Sequence, residues 1–231
     1  MPATAQDVWA PGPPRPMLTD GAIHVWRADL TAEAGELDDP LCDEERERAA
    51  RIVNERDGEL WSRSRGLLRA LLGRYLQRDP RSLRFATGEH GKPALARDAD
   101  EPSRSAAPSF NLSHSGQLAL YAFSAAGAVG VDVELARRPI DEVAIAARAL
   151  GAAEARRLQA LAPDERRREF MRAWTRHEAT LKCLGVGIGG AEDAIAGRVT
   201  WIAQLELGAD AAAAVAAERP ARELRCWDWR A

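Results

Sequence analysis

The chain has 231 residues, 46% hydrophobic and 29% charged, with a formal net charge of −3 and a sequence pI near 5.9. That is enough apolar material for one large domain or two small ones. It excludes extensive disorder and an overall basic field for nucleic acid, and no apolar run reaches the length of a membrane span.

Cys42, Cys183 and Cys226 are odd in number and lack Cys-x-x-Cys spacing. Reduced thiols in a cytoplasmic protein are therefore expected, not disulfides or structural zinc. The amino terminus has neither the basic start nor the apolar core of a signal peptide.

Residues 1–20, rich in Pro and small side chains, read as a flexible N-terminal arm. Gly21–Arg27 alternates as a first strand. Asp43 is placed to cap a helix over Glu44–Asn54. Leu60, Leu67, Leu68, Leu71, Leu72 and Leu76 then recur at helical spacing until Asp79-Pro80, which predicts a core helix over 57–78. Arg63, Arg65, Arg69 and Arg74 fall off that stripe and are expected in solvent. Leu83–Thr87, Gly88–Gly91 and Lys92–Leu95 read as strand, turn and edge strand, followed by a loop over 97–108.

The apolar run Leu118–Val133 reads as two strands around an Ala-Ala-Gly turn. Side chains alternate along a strand, so Asp132 and Glu134 share a face with Gly130. Such a pair of acids suits a hard divalent cation, or else marks a strand end facing water. His114, between Ser113 and Ser115, is either a satisfied histidine or one of several donors gathered for a phosphate.

Short helices are expected over 141–150 and 153–161, and a longer one from Pro163 to a C-cap at Gly185. On it Trp174, Glu178 and Lys182 stand four apart, as an exposed Glu-Lys pair or as an inward-facing acid and ammonium. Val199–Leu207 and Arg222–Trp229 read as strands around an Ala-rich loop. Of 32 basic residues only Lys92 and Lys182 are lysines, which is either chance or a sign that a compact ammonium is needed at both places.

Gly91-Lys-Pro93, Phe110-Asn-Leu-Ser-His-Ser115, Val129-Gly-Val-Asp-Val-Glu134 and Trp174-Thr-Arg-His-Glu-Ala-Thr-Leu-Lys182 occur in that order. Over residues 41–190 the chain thereby resembles the long, single-chain Sfp-like 4′-phosphopantetheinyl transferases. The resemblance implies an α+β fold built as a monomeric pseudo-dimer. Its two similar halves, here 21–126 and 127–231, would each carry a small antiparallel sheet and a long helix, with coenzyme A in the cleft between them.

It further implies Mg²⁺-dependent transfer of the 4′-phosphopantetheine arm of coenzyme A to a serine of an apo acyl or peptidyl carrier protein, releasing adenosine 3′,5′-bisphosphate. Asp132, Glu134 and Glu178 would hold the metal, and Glu178, or Asp132 through a water, would be the base. Lys182 would face the leaving phosphate, and Arg48, Lys92, Pro93, Asn111, Ser113 and His114 would join it around coenzyme A. The chain departs from the pattern at His177, where relatives usually carry Lys, and at Glu45, where some carry a basic residue. Two other readings remain: a module that binds coenzyme A without turnover, and a Mg²⁺-dependent phosphohydrolase that uses water in place of serine.

Overall fold

The computed structural model describes residues 9–32, 40–88, 91–96, 107–136, 140–186 and 198–230. Residues 1–8 of the expected arm, the tip of the 88–91 turn, most of the 97–108 loop and the Gly-rich stretch past 186 lie outside them. In chain order the elements are β1 (Ala10–Pro11), β2 (Ala22–Asp29), α1 (Asp43–Ala50), α2 (Glu55–Leu76), β3 (Phe85–Thr87), β4 (Pro93–Leu95), β5 (Ser109–Ser115), β6 (Leu118–Ser124) and β7 (Val129–Leu135). They continue with α3 (Glu142–Ala149), α4 (Ala152–Gln159), α5 (Pro163–Leu184), β8 (Trp201–Leu205), β9 (Ala211–Ala217) and β10 (Glu223–Asp228). The architecture is α+β, as expected. Among the described residues no helix is long and apolar enough to cross a membrane, and Cys42, Cys183 and Cys226 remain thiols.

Two sheets form the centre, ordered β1-β10-β2-β6-β5 and β7-β9-β8, with β3-β4 as a separate hairpin. The inner faces of the two sheets meet. Ile23, Val25, Leu120, Ala122, Leu224 and Cys226 from the first pack against Val129, Val131, Val133, Ala213 and Val215 from the second. α2 covers the outer face of the first sheet, its Leu67, Leu68, Leu71 and Leu72 lying on Trp26, Ala28, Tyr121 and Phe123. α5 covers the outer face of the second, where Ala179 and Cys183 meet Ala214 and Ala216. The result is four layers, helix on sheet on sheet on helix, each strand dividing its alternate residues between two interfaces.

Several expectations are corrected. The Ala-rich segment is no loop: β9 is the central strand of its sheet, paired antiparallel with both β7 and β8. Alanine favours helices when nothing else decides, but here its small size lets α5 come close while odd and even positions fill two cores. β10 pairs in parallel with β2. Residues 10–11 of the expected arm are docked as β1 on β10, and the Trp9 indole donates to Glu206 O at 2.8 Å.

Helix α1 stops at Ala50, its N-cap is Cys42, and Glu45 closes a capping box by accepting from Cys42 N. Asn54 ends no helix; it caps α2 by accepting from Asp57 N. Arg69 is not in solvent but 2% exposed, donating to Glu45 at 2.6 Å and to Pro80 O and Leu83 O. Arg65 reaches the other Glu45 oxygen at 2.5 Å and lies over the Phe85 ring. Glu45, one of the two departures from the family pattern, is thus the shared counter-ion of two guanidiniums. Burial pushes its carboxyl up, and the hydrogen bonds from Arg69 and Arg65 bring it below the usual range.

Candidate active site

The two sheets are joined along one edge by side chains rather than by a backbone ladder. On β5, Asn111, Ser113 and Ser115 point the same way, and each reaches β7. Asn111 Oδ1 accepts from Val131 N at 2.9 Å. Ser113 Oγ donates to Asp132 Oδ1 at 2.9 Å. Ser115 Oγ donates to Glu134 Oε2 at 3.1 Å and accepts from Leu135 N. Asn111 therefore sits in the seam, buried, with its carbonyl oxygen spent on β7.

Across β7, α5 comes in at van der Waals range. A Cβ on Gly130 would stand 2.1 Å from Ala179 O and 2.3 Å from Cys183 N, so no side chain fits there. Asp132 and Glu134, on the face of Gly130, consequently meet the line of α5 that carries Trp174, Glu178 and Lys182. Lys182 Nζ donates to Asp132 Oδ1 at 2.5 Å and to Ser113 Oγ at 2.9 Å. Trp174 stands near enough to Glu134 to favour its ionised carboxylate slightly, and His177 lies beside the Trp174 ring.

Three carboxyls are thereby crowded against one ammonium. Burial, then the charge of Asp132, pushes the Glu178 carboxyl above its usual range, and the same two causes raise Glu134. Asp132 is also raised by burial, with Lys182 opposing. Among the described residues, Asp132 Oδ2 and Glu178 Oε1 are buried and accept no hydrogen bond. Acids held like this suit a cation, which would use both orphaned oxygens and relieve the repulsion. Among the described residues, no three His, Cys, Asp or Glu side chains are drawn together around one point as they stand.

Of the other expected residues, His114 points away from the seam, its imidazole held below the usual range by desolvation and then by the Lys182 charge. Arg48 is on the exposed side of α1, over the Trp61 ring at 5.4 Å. Pro93 begins β4, and the neighbouring Lys92 turns its ammonium onto three backbone carbonyls. Ser115 and Trp174 were missed as site residues. The two-residue step from Ser113 and the four-residue step to Glu178 were the signals that could have found them. A cavity of about 770 Å³ lies elsewhere, around Arg27, Asp29, Arg63 and Trp229, but convergent titratable groups mark a reactive site better than volume does.

Residues 128–221 match the family model of the 4′-phosphopantetheinyl transferase superfamily, and residues 32–126 match that of the 4′-phosphopantetheinyl transferase N-terminal region. A 4′-phosphopantetheinyl transferase of Nostoc sp., HetI, is 34% identical over 191 residues, 81% of this chain and 79% of the relative. The chain belongs to the 4′-phosphopantetheinyl transferase family. A putative transferase of Synechocystis sp. is 35% identical over 65% of the chain, and the transferase Sfp of Bacillus subtilis 32% over 63%. These two alignments span 59% and 60% of the relatives' own lengths. The boundary between the two family models falls in the turn from β6 to β7, so the seam that holds this transferase's acids lies where the two regions meet.

Proposed function

We propose that the protein transfers the 4′-phosphopantetheine arm of coenzyme A to a serine hydroxyl of an apo acyl or peptidyl carrier protein, releasing adenosine 3′,5′-bisphosphate. The observation that carries this reading is the seam cluster: two carboxyls each with a buried oxygen that has no partner among the described residues, a third carboxyl beside them, and a lysine that pairs with Asp132 and whose charge is felt by the other two.

Asp132, Glu134 and Glu178 would hold Mg²⁺, which when bound neutralises charge on the pyrophosphate as a Lewis acid. Glu178 is the base for the serine proton: its raised affinity for a proton suits the task, whereas Asp132 is already engaged by Lys182 and Ser113. The serine oxygen bonds to phosphorus as the bond to the bridging pyrophosphate oxygen breaks. Lys182, its side chain 31% exposed against 3% for Asp132, is the more accessible of the pair and stabilises the leaving phosphate. His114 and Arg48 supply further donors toward the nucleotide, while Ser113, whose one proton goes to Asp132, holds that carboxylate in place. Asn111 contributes by holding β7 in register.

Incubation with coenzyme A, Mg²⁺ and an apo carrier domain tests the reading by mass. Carrier that gains the phosphopantetheine mass, with loss of the gain when Mg²⁺ is chelated, is the expected result. Release of adenosine 3′,5′-bisphosphate without carrier modification would point to hydrolysis, and neither product to binding alone.

A further inference from the structure

Lys92 is the residue whose surroundings fit least with contact to coenzyme A. Its Nζ lies 2.7 Å from Lys182 O, 3.0 Å from Val129 O and 3.2 Å from Cys183 O, so all three ammonium donors are engaged. Lys182 O and Cys183 O belong to the last turn of α5, which has no following turn to supply donors. The amides of Gly185 and Val186 both fold back to Leu181 O instead. Val129 O opens β7, one residue before Gly130, where α5 and β7 touch. One cation therefore ties together two elements whose contact creates the site.

The local sequence aims this side chain. Gly91 has φ +80°, a conformation that side chains resist, and Pro93 restricts Lys92 to extended backbone. A compact ammonium can fan three donors over three carbonyls, whereas the planar guanidinium that serves elsewhere in this arginine-rich chain has a fixed fork. The charge also sits at the negative end of the α5 dipole. One of the two lysines thus holds the backbone carbonyl of the other.

We propose that Lys92 is a positioning residue for the transfer. It fixes the last turn of α5 on β7 and so holds the Lys182 ammonium on Asp132, without its own ammonium touching coenzyme A. The kinetic part of its test rests on the function proposed above; the spectroscopic part does not.

Because the chain has two lysines, protein labelled with ¹³C,¹⁵N-lysine gives two side-chain signals, and Lys92→Met leaves that of Lys182 alone. In Lys92→Met the Lys182 signal is expected to move to the position it takes in Asp132→Asn, and amides 182–186 to exchange at least about tenfold faster. Turnover should fall about 10- to 100-fold with KM for coenzyme A within about twofold. Adding Lys92→Met to Lys182→Gln should cost less than about twofold more. Lys92→Arg, which keeps the charge and gives a second folded sample, should show a smaller Lys182 shift and an intermediate kcat at unchanged KM.

An unmoved Lys182 signal in both variants would overturn the proposal. So would a rise in KM that is larger for coenzyme A than for dephospho-coenzyme A, since Lys92 would then meet the 3′-phosphate. If the wild-type protein transfers nothing, the function is wrong, and the Lys182 signal still decides the positioning.

Discussion

The two long helices, α2 and α5, are each 22 residues and each cover the outer face of a sheet, yet they do so at different range. α2 rests on bulky side chains, its leucines against Trp26, Tyr121 and Phe123. α5 rests on a bare glycine and a row of alanines, near enough that one added methyl would strike its backbone. At the longer range the layer between helix and sheet is filled by apolar atoms and contributes stability. At the shorter range the strand's carboxyls face an acid and an ammonium of the helix, and Lys182 pairs directly with Asp132. Which of the two similar layers brings charged side chains together is decided by the size of the residues under the helix.

The comparison breaks most completely if the acids of the second layer are dispensable. Asp132→Ala should cut transfer on the order of 10³-fold or more while leaving a cooperative folded protein, checked by carrier mass and circular dichroism together. Near-normal turnover would sink the site assignment. Next comes the spacing itself. Gly130→Ala must push α5 off β7, an overpacking cost of about 3 kcal/mol or more, and transfer should fall with it even in the molecules that remain folded. By contrast Leu71→Ala in the first layer should cost about 2–5 kcal/mol in denaturant unfolding with kcat unchanged where the protein is folded.

A smaller effect is set by pH. Under α2, the Tyr75 hydroxyl accepts from Trp26 Nε1 and meets His24 Nδ1, each at 2.9 Å. Burial, then Arg225, lowers the His24 pKa to about 4. Its folded value lies below its unfolded one, so between about pH 6.5 and 4 the unfolded chain binds more protons and stability falls as pH falls. The loss should reach about 2–3 kcal/mol by pH 4, and the difference in unfolding free energy between wild type and His24→Gln should trace it. A difference independent of pH would mean that the imidazole is charged in the fold. Smallest, Ser115→Ala removes one bond to Glu134 and one acceptor from Leu135 N, about 1 kcal/mol of stability and a few-fold of kcat. An unchanged kcat would mean that Glu134 does not depend on the seam.

The second layer was the more legible of the two in sequence. The period of two that groups Gly130 with Asp132 and Glu134, and the period of four through Trp174, Glu178 and Lys182, are local facts that survive folding unchanged. So is the leucine stripe of α2. What local pattern could not carry is where distant backbone arrives. The targets of Lys92 are carbonyls 37, 90 and 91 residues away. Arg69 is buried because Glu45 and two carbonyls converge on it, not because of its own helix position. Ala211–Ala217 is a strand because two neighbours supply its ladder bonds, overriding an intrinsic preference that points the other way.

The parallel pairing of β10 with β2 sets a timetable for synthesis. Ala22 finds its partner at Glu223, and Arg27 meets Asp228 across 201 positions in a 2.8 Å ion pair. While the chain emerges from the ribosome, β2 keeps an open edge until β10, 201 positions on at the Arg27–Asp228 pair, has been made, with Trp26 and Ile23 lacking the Trp227, Leu224 and Cys226 that finally cover them. The first sheet is thus begun early and sealed only when β10 arrives, and in the interval it depends on α2 and β6 to keep a sticky strand from pairing with a neighbour.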